Sequence, residues 1–374
     1  MVSVMVFLGS GFQPLVSMEI EYAEGFSITS FEEYTRVEVY PAGRAEKSEH
    51  VSYYLIHRER QDFMRVFSLV ADRHPAVPVS RIIGVPVDRC ILLSSTFLPP
   101  FRYFDELDRI AAVDHIDNLY DSGIKSRLKK NGTLEVGSGS SLDLEMAAAI
   151  RPEIVMVNMI EGEWNAAAKL EKAGMTVVVN GDYLESTPLG RAEWMKFIGL
   201  FLGREAEADA WFREVRDRYL GLAGMAGQIV EKPSVILNVP LSGRWVIPGG
   251  GGYMARFLED AGAEYQWNHS PESRSLIFDV ETVFSQAVNA DVWLHQYGAG
   301  SIQDLVGSDP RFRRMKAVRG GRVINNDARQ SGAGSNDFYE NGPYSPDIIL
   351  ADLISVLHPG LLPEHRLYYY RYLE

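Results

Sequence analysis

Short, nearly uninterrupted apolar runs separated by helical stretches constrain this chain more than any other feature. From Arg89 onward the runs are Cys90 to Ser94, Ile154 to Asn158, Met175 to Asn180, Ser234 to Asn238, Asp291 to His295 and Arg322 to Asn325. A strand with one face in water alternates apolar and polar residues, whereas a strand apolar throughout is buried on both faces. Such runs, with helical patterns between them, predict parallel sheets covered by helices on both sides. An apolar fraction of 46% and a charged fraction of 23% fit a globular chain and argue against disorder. The length of 374 residues suits two or three domains or one large one.

The segment before Arg89 has a different texture. Thr35 to Tyr40 alternates with period two, and Val51 to Ile56 is β-branched and aromatic. The polar stretch Pro41 to His50 between them suits a hairpin loop, so residues 19 to 57 read as an antiparallel addition. Pro75, Pro78 and Pro86 break any pattern over residues 61 to 88. At the extreme N-terminus, Val2 to Val16 is too short and interrupted to span a bilayer and lacks a basic n-region. It reads either as the tail of a truncated signal or as a strand. No cysteine follows it closely, so a lipid anchor would belong to a longer precursor. Cys90, the single cysteine, rules out a disulfide framework and a Cys-based zinc site. The net charge of −13 disfavours bulk nucleic-acid binding.

A long helical stretch interrupts the alternation. Ser186-Thr187-Pro188 supplies caps and a first-turn proline, Pro188 to Leu202 is amphipathic, and Gly203 breaks it. Arg204 to Leu222 then carries Ala208, Trp211, Phe212, Val215 and Tyr219 at a helical period. This is either a rod between two lobes or a helical hairpin within one domain. The halves on either side resemble each other. Asp143-Leu144-Glu145, an apolar helix and the strand Ile154 to Val157 are echoed by Asp279-Val280-Glu281, an apolar helix and Val292 to Leu294. A duplicated lobe is the plainest explanation.

In open parallel sheets ligands bind beyond the C-terminal strand ends. That rule places Thr96, Phe97, Glu161 to Trp164, Tyr183, Arg244, Trp245 and His295 to Tyr297 at or near a cleft. The set is aromatic and suits a large, flat ligand held by stacking. Gly249 to Gly252 lacks the P-loop and dinucleotide spacings and reads as a tight turn, with Trp245 and Tyr253 flanking either a ligand or each other's packing neighbours. The polar, glycine-rich segment Asp327 to Asp347 offers Arg329, Asn336 and Phe338. Tyr368 to Tyr370 with Tyr372 reads as helix-end packing. The 8 histidines form no metal-binding motif, and the residues show no nucleophile elbow or paired acid and base.

The order LDLE-x5-RPEIVMV, KAGMTVVV, ESTPLGRAEWMKFIGLFLGREAEADAWF, WVIPGGGGYMARFLEDAGAEY and VETVF-x4-NADVWL is similar to the helical-backbone substrate-binding proteins of ABC importers for iron-siderophores, haem and cobalamin. The resemblance covers about residues 89 to 370 and excludes the β-rich segment before it. It implies an α/β fold of two lobes, each with a mainly parallel central sheet, bridged by a long linker helix. The expected boundaries are 1–88 for the β-rich extension, 89–187 for the N-terminal lobe, 188–224 for the helical linker and 225–374 for the C-terminal lobe. Thr96, Phe97, Trp164, Arg244, Trp245, Tyr253, Tyr297, Arg329 and Phe338 are the expected ligand-binding residues.

The resemblance further assigns Glu145 and Glu281 to docking on the two subunits of an ABC permease dimer; from the residues alone, each is equally a first-turn acid favoured by the helix dipole. It implies a non-enzymatic monomer, with no cofactor of its own, periplasmic or on the outer face of the cytoplasmic membrane. Its ligand would be a small metal chelate bearing iron or cobalt. The alternatives are a tetrapyrrole- or metal-handling enzyme such as a chelatase, and a surface binding protein without a permease.

Overall fold

The computed structural model describes residues 18–40, 50–158 and 163–374, the last stretch by backbone alone at 163–165. The expected signal remnant at Val2 to Val16 and the loop at 41–49 lie outside the described residues, as do Glu161 and the side chain of Trp164. The fold is α/β, with two lobes and an N-terminal β-rich sheet.

That first sheet has four strands in the order β1-β2-β3-β4: β1 (Phe26–Ser30), β2 (Thr35–Val39), β3 (Val51–His57) and β4 (Ile82–Val85). The first three are antiparallel neighbours, and β4 pairs parallel to β3 after α1 (Phe63–Arg73). The sheet is therefore more than a hairpin, because α1 and β4 occupy the proline-broken stretch. One face packs Tyr54 and Ile56 against Val66 and Val70 of α1. The other face enters the core of the N-terminal lobe.

The N-terminal lobe holds a parallel five-stranded sheet in the order β7-β6-β5-β8-β9: β5 (Cys90–Leu92), β6 (Ile110–Val113), β7 (Leu134–Glu135), β8 (Ile154–Asn158) and β9 (Val177–Asn180). Every residue of β5 and β9 is buried, as their uniform apolarity requires. Helix α2 (Leu144–Ile150) leads into β8. Beyond the sheet comes α3 (Trp194–Leu202), buried at every residue. It lies between the first sheet and the lobe: Phe26 meets Trp194 at 4.7 Å and Phe197 at 5.5 Å, and Tyr53 meets Phe201 at 6.2 Å between centroids. Gly203, at φ 66°, ends α3 in the left-handed conformation that glycine adopts without strain.

Next comes α4 (Glu205–Ala226), whose 22 residues span about 33 Å. Its Ala208 belongs to the N-terminal core, while its Tyr219 and Ala226 belong to the C-terminal core. This is the long helix that bridges the lobes. The C-terminal half contributes β10 (Ser234–Leu237), β11 (Pro240–Leu241), β12 (Arg244–Ile247), β13 (Glu264–Tyr265), β14 (Leu276–Asp279), β15 (Val292–Leu294), β16 (Val323–Asn325) and β17 (Arg371–Tyr372). The main sheet runs β13-β10-β15-β16-β17, parallel except for the last strand, and β11-β12-β14 forms a separate antiparallel sheet. Helix α5 (Val280–Ala287) leads into β15 as α2 leads into β8. The strand orders β6-β5-β8-β9 and β13-β10-β15-β16 correspond, so the duplicated pattern in the sequence is a duplicated topology. Of the tyrosine tail, Tyr372 pairs in β17, while the N–H groups of Tyr368, Tyr369 and Tyr370 are held by Asp352, within the helix Pro346–Leu357 and not at its end.

Buried carboxylates fasten the N-terminal segment to this frame. Glu193 accepts backbone N–H groups from Glu21 (3.0 Å), Tyr22 (2.8 Å) and Ala23 (2.8 Å). Glu185 accepts those of Glu24 and Gly25 and the Trp194 indole N–H at 2.9 Å. Lys196, buried on α3, donates to Glu193 at 2.9 Å and to the Glu19 carbonyl at 2.8 Å. A buried charge set of this kind is stable only when every member is satisfied. Glu193→Ala would strand three backbone donors and leave the Lys196 ammonium to Asp209, at 3.3 Å, and the Glu19 carbonyl, and we expect it to lower unfolding free energy by about 3 kcal/mol, measured by urea denaturation. A loss below about 1 kcal/mol would refute the clasp.

Candidate functional site

A cavity of about 600 Å³ opens between the lobes at the C-terminal ends of both main sheets. Ser95, following β5, and Asn118, following β6, line it from the N-terminal lobe. The opposite wall comes from the loop after β15 (Tyr297 to Gly300), the loop after β16 (Asn325 to Asp327) and the segment Gln330 to Glu340. Arg371 of β17 completes it. The location follows from topology, since parallel strands leave their turns and unpaired backbone at one end.

Local chemistry fixes the wall. Arg371 donates from Nε to Asp327 Oδ1 at 2.7 Å and from Nη2 to Oδ2 at 2.8 Å, a two-pronged pair. Asn336 donates to the Asn326 carbonyl at 3.0 Å and caps the short helix 337–340 by accepting the Phe338 N–H at 2.9 Å. That helix presents Glu340, whose Oε2 accepts the Tyr120 N–H of the other lobe at 2.8 Å. Burial pushes the Glu340 carboxyl up to about 7, against the pull of the Tyr120 and Asp121 N–H groups.

The sequence-expected ligand residues divide sharply. Tyr297 lines the cavity and is 84% exposed. Arg329 lies beside the lining residue Gln330; it donates to Asp337 at 2.5 Å, and its guanidinium sits 4.2 Å from the Tyr368 ring centroid and 5.2 Å from that of Tyr120. Thr96 adjoins Ser95, its hydroxyl 2.9 Å from that of Ser94. The structure brings none of the other described residues to the wall. Phe97 is in the N-terminal core. Trp245 is in the C-terminal core, 5.9 Å from Trp293, with its indole N–H on the Leu237 carbonyl at 3.0 Å. Phe338 packs edge-on to His295 and Tyr370, both at 5.7 Å. Arg244 is exposed on β12 opposite Asp279, and Tyr253 lies 5.2 Å from the Arg191 guanidinium. For Phe97, Trp245 and Phe338 the reason is burial of aromatic area in a core, and Arg244 falls on the outward face of β12, whose residues alternate between exposed and buried. Asn336, which the sequence offers for the cleft, lines the cavity, as do Asp327, Gln330, Tyr339 and Glu340 of the polar segment marked there, whereas nothing in the sequence reading points to Asn118, Asn325, Asn326 or Arg371. The polar run Asn325-Asn326-Asp327 directly after an apolar strand was the available signal.

Glu145 and Glu281 occupy matching places. Each is exposed on the first turn of a helix capped by an aspartate: Asp143 accepts the Met146 N–H at 2.9 Å, and Asp279 accepts the Thr282 N–H at 2.7 Å. Glu281 also meets Arg311 at 3.0 Å. His295 ends β15 at φ 63°, buried, with Nε2 2.7 Å from the Tyr370 hydroxyl. Among the described residues no group of three His, Cys, Asp or Glu is placed to hold a metal ion, and no helix is long and apolar enough to cross a membrane. The tight turn at Gly249 and Gly250 serves packing, since a Cβ on either would strike the carbonyls of Glu272 and Trp267.

Comparison with known proteins agrees with this geometry. A family model described as periplasmic binding protein matches residues 101–329, leaving the first sheet outside the match. An uncharacterized lipoprotein of Methanocaldococcus jannaschii is 26% identical over 288 residues, 75% of this chain and 67% of that protein. A possible iron-binding periplasmic solute-binding protein from Staphylococcus epidermidis superposes with a TM-score of 0.57 at 16% identity, covering 73% of this chain and 99% of that one. A periplasmic haem-binding protein from Pseudomonas aeruginosa gives 0.55 at 20% identity, covering 73% and 94%. At these identities the structural likeness is one of fold.

Burial lowers the His295 imidazole to about 3. An unfolded histidine titrates near 6.5, so the unfolded chain binds the extra proton between those values. The stability involved is complete above about pH 6.5 and drains as pH falls. His295→Phe should flatten the pH dependence of urea unfolding between about pH 4 and 6 by up to about 1.4 kcal/mol per pH unit; an unchanged slope would refute the assignment.

Proposed function

We propose, because the chain belongs to the periplasmic binding protein family, that it is the extracytoplasmic receptor of an ABC importer and captures a small metal chelate in the interlobe cavity. The observation that carries this reading is a cavity walled by both lobes at the C-terminal ends of two equivalent sheets. Ligand enclosed there is contacted by two bodies at once, which a one-lobed site cannot do. The protein works as a monomer, without turnover, outside the cytoplasmic membrane. The lipoprotein description of the relative supports a lipid anchor in the precursor. One helix, seated in a core at each end, resists bending, so the lobes move little on capture and release.

Glu145 and Glu281 dock the loaded receptor on the permease dimer. Their equivalence on α2 and α5 supports this, since two related subunits need two related contacts. Like charges on a rigid frame set register and orientation more than raw affinity. The Arg311 contact with Glu281 is exposed and worth little, so a permease arginine can replace it.

Tryptophan-fluorescence titration against ferric siderophores, haem and cobalamin tests capture: saturable quenching by one class is expected, and its absence with all three would overturn the metal-chelate reading. For docking, Glu145→Lys with Glu281→Lys should abolish uptake in cells while leaving ligand affinity within about two-fold. Unchanged uptake would remove the docking role.

A further inference from the structure

Resting on that receptor reading, the charge pattern of the cavity wall narrows the ligand. Among the described residues the wall carries one guanidinium, Arg371, and two carboxyl groups, Asp327 and Glu340. Arg371 and Asp327 neutralise each other through both prongs, and Arg371 Nη1 adds a 3.4 Å contact to the Gly300 carbonyl. An incoming anion would have to break that pair to obtain a cation. The neighbouring Arg329 is committed in the same way, to Asp337 and to the faces of Tyr368 and Tyr120. The remaining polar wall is uncharged, dominated by the carboxamides Asn118, Asn325, Asn326, Gln330 and Asn336. Polyanions are recognised by clusters of arginine and lysine, and this wall offers none.

Glu340 is the exception to a balanced wall. It is 3% exposed, and although Oε2 accepts the Tyr120 N–H, Oε1 has no hydrogen-bond partner among the described residues. The charged groups facing it do not help. Asp337 on its own helix and Asp121 on the opposing lobe are both acidic. Their cations are spent, Arg329 on Asp337 and Arg102 on Asp121 at 2.7 Å. A buried carboxylate without a counter-ion at the wall of a cavity is costly in the empty state and rewarded when a cation arrives.

We propose that the cavity takes a ligand that is neutral over most of its surface and carries one protonated nitrogen, which pairs with Glu340 Oε1. The carboxamides hydrogen-bond the neutral body, and polyanionic chelates and propionate-bearing tetrapyrroles are rejected. Oε2 stays on the Tyr120 N–H, so one carboxylate joins the ligand to both lobes. The pairing holds Glu340 ionised, which strengthens its bond to the N-terminal lobe. Ligand binding and the contact between the lobes are thereby coupled at a single side chain.

The test uses four probes on the full chain, followed by calorimetry: ferrioxamine B, a neutral trihydroxamate iron centre with a pendant ammonium; its N-acetylated derivative, which lacks only that charge; ferric enterobactin, a trianion; and haemin. Ferrioxamine B should bind at least roughly ten-fold tighter than the acetylated form, with affinity rising from about pH 6 to pH 8 and protons released near neutrality. Glu340→Gln should erase the difference between the two hydroxamates. If the variant does not fold, the probe comparison on the unaltered protein decides. Equal affinity for the two hydroxamates, persistence of the preference in Glu340→Gln, or tighter binding of ferric enterobactin or haemin would each overturn the inference and leave the receptor reading standing. Failure of all four probes to bind folded protein would overturn the inference, and failure of cobalamin as well would overturn the metal-chelate reading.

Discussion

A single helix with one end in each hydrophobic core governs this architecture. Helix α4 buries Ala208 with the N-terminal lobe and Tyr219 and Ala226 with the C-terminal lobe. Rotating either lobe about the helix would pull one of these residues from its core. Arg218 reinforces the far end through Asp347, at 2.6 Å. The sheets are therefore held with their C-terminal strand ends toward a shared space. Everything chemical in the molecule collects there, because the loops between parallel strands are the one place where backbone and polar side chains escape the covering helices.

The first sheet gives that frame its stiffness. α3 is buried on every side and apolar but for Lys196, which for a helix at the surface of a lobe would be untenable. Sheet β1 to β4 supplies its missing cover, and the Tyr53 hydroxyl accepts the Val179 N–H at 2.9 Å on the outer strand β9. The segment 18–25 then runs along the start of the linker, its N–H groups held by Glu185 and Glu193. Tyr22 meets Phe212 of α4 at 6.0 Å. The added sheet thus shares the core of the N-terminal lobe and reaches the bridge itself.

Periodicity made the sheets legible. Residues buried on both faces must be apolar throughout, so β8, with Ile154 to Val157, and β9 stood out from the sequence, as did the repeat that relates α2 to α5. Strand β6 did not, because Ile110-Ala111-Ala112-Val113 is as compatible with a helix as with a strand. Pro188 to Leu202 reads as amphipathic, yet α3 is buried at every residue; only the fold brings Glu193 and the Glu19 carbonyl to the Lys196 ammonium. The site was harder still. Aromatics near strand ends suggested stacking, but Phe97, Trp245 and Phe338 pack inward. Arg371 reaches the wall only because the C-terminal tail returns as β17 beside β16. No local pattern reports a pairing between residues 44 positions apart, such as Arg371 with Asp327.

The acidity of the whole chain and the polarity of the cavity belong to one electrostatic argument. A net charge of −13 surrounds the protein with a field that slows the approach of anions and hastens that of cations. Within the cleft the dielectric is lower and the discrimination sharper. There Arg371 and Asp327 cancel, and the residual charge sits on Glu340, buried and flanked by Asp337 and Asp121. Long-range steering and short-range pairing therefore carry the same sign. On the docking role proposed above, the same field serves the outer surface, where Glu145 and Glu281 are exposed on matching helices. A ligand that neutralises Glu340 lies against the helix 337–340 and the Tyr120 loop at once, so loading firms the interlobe contact that fixes the distance between those two glutamates. Under the proposed docking role, loaded and empty protein would differ at that surface through how rigidly two charges are spaced, without any large movement of the lobes.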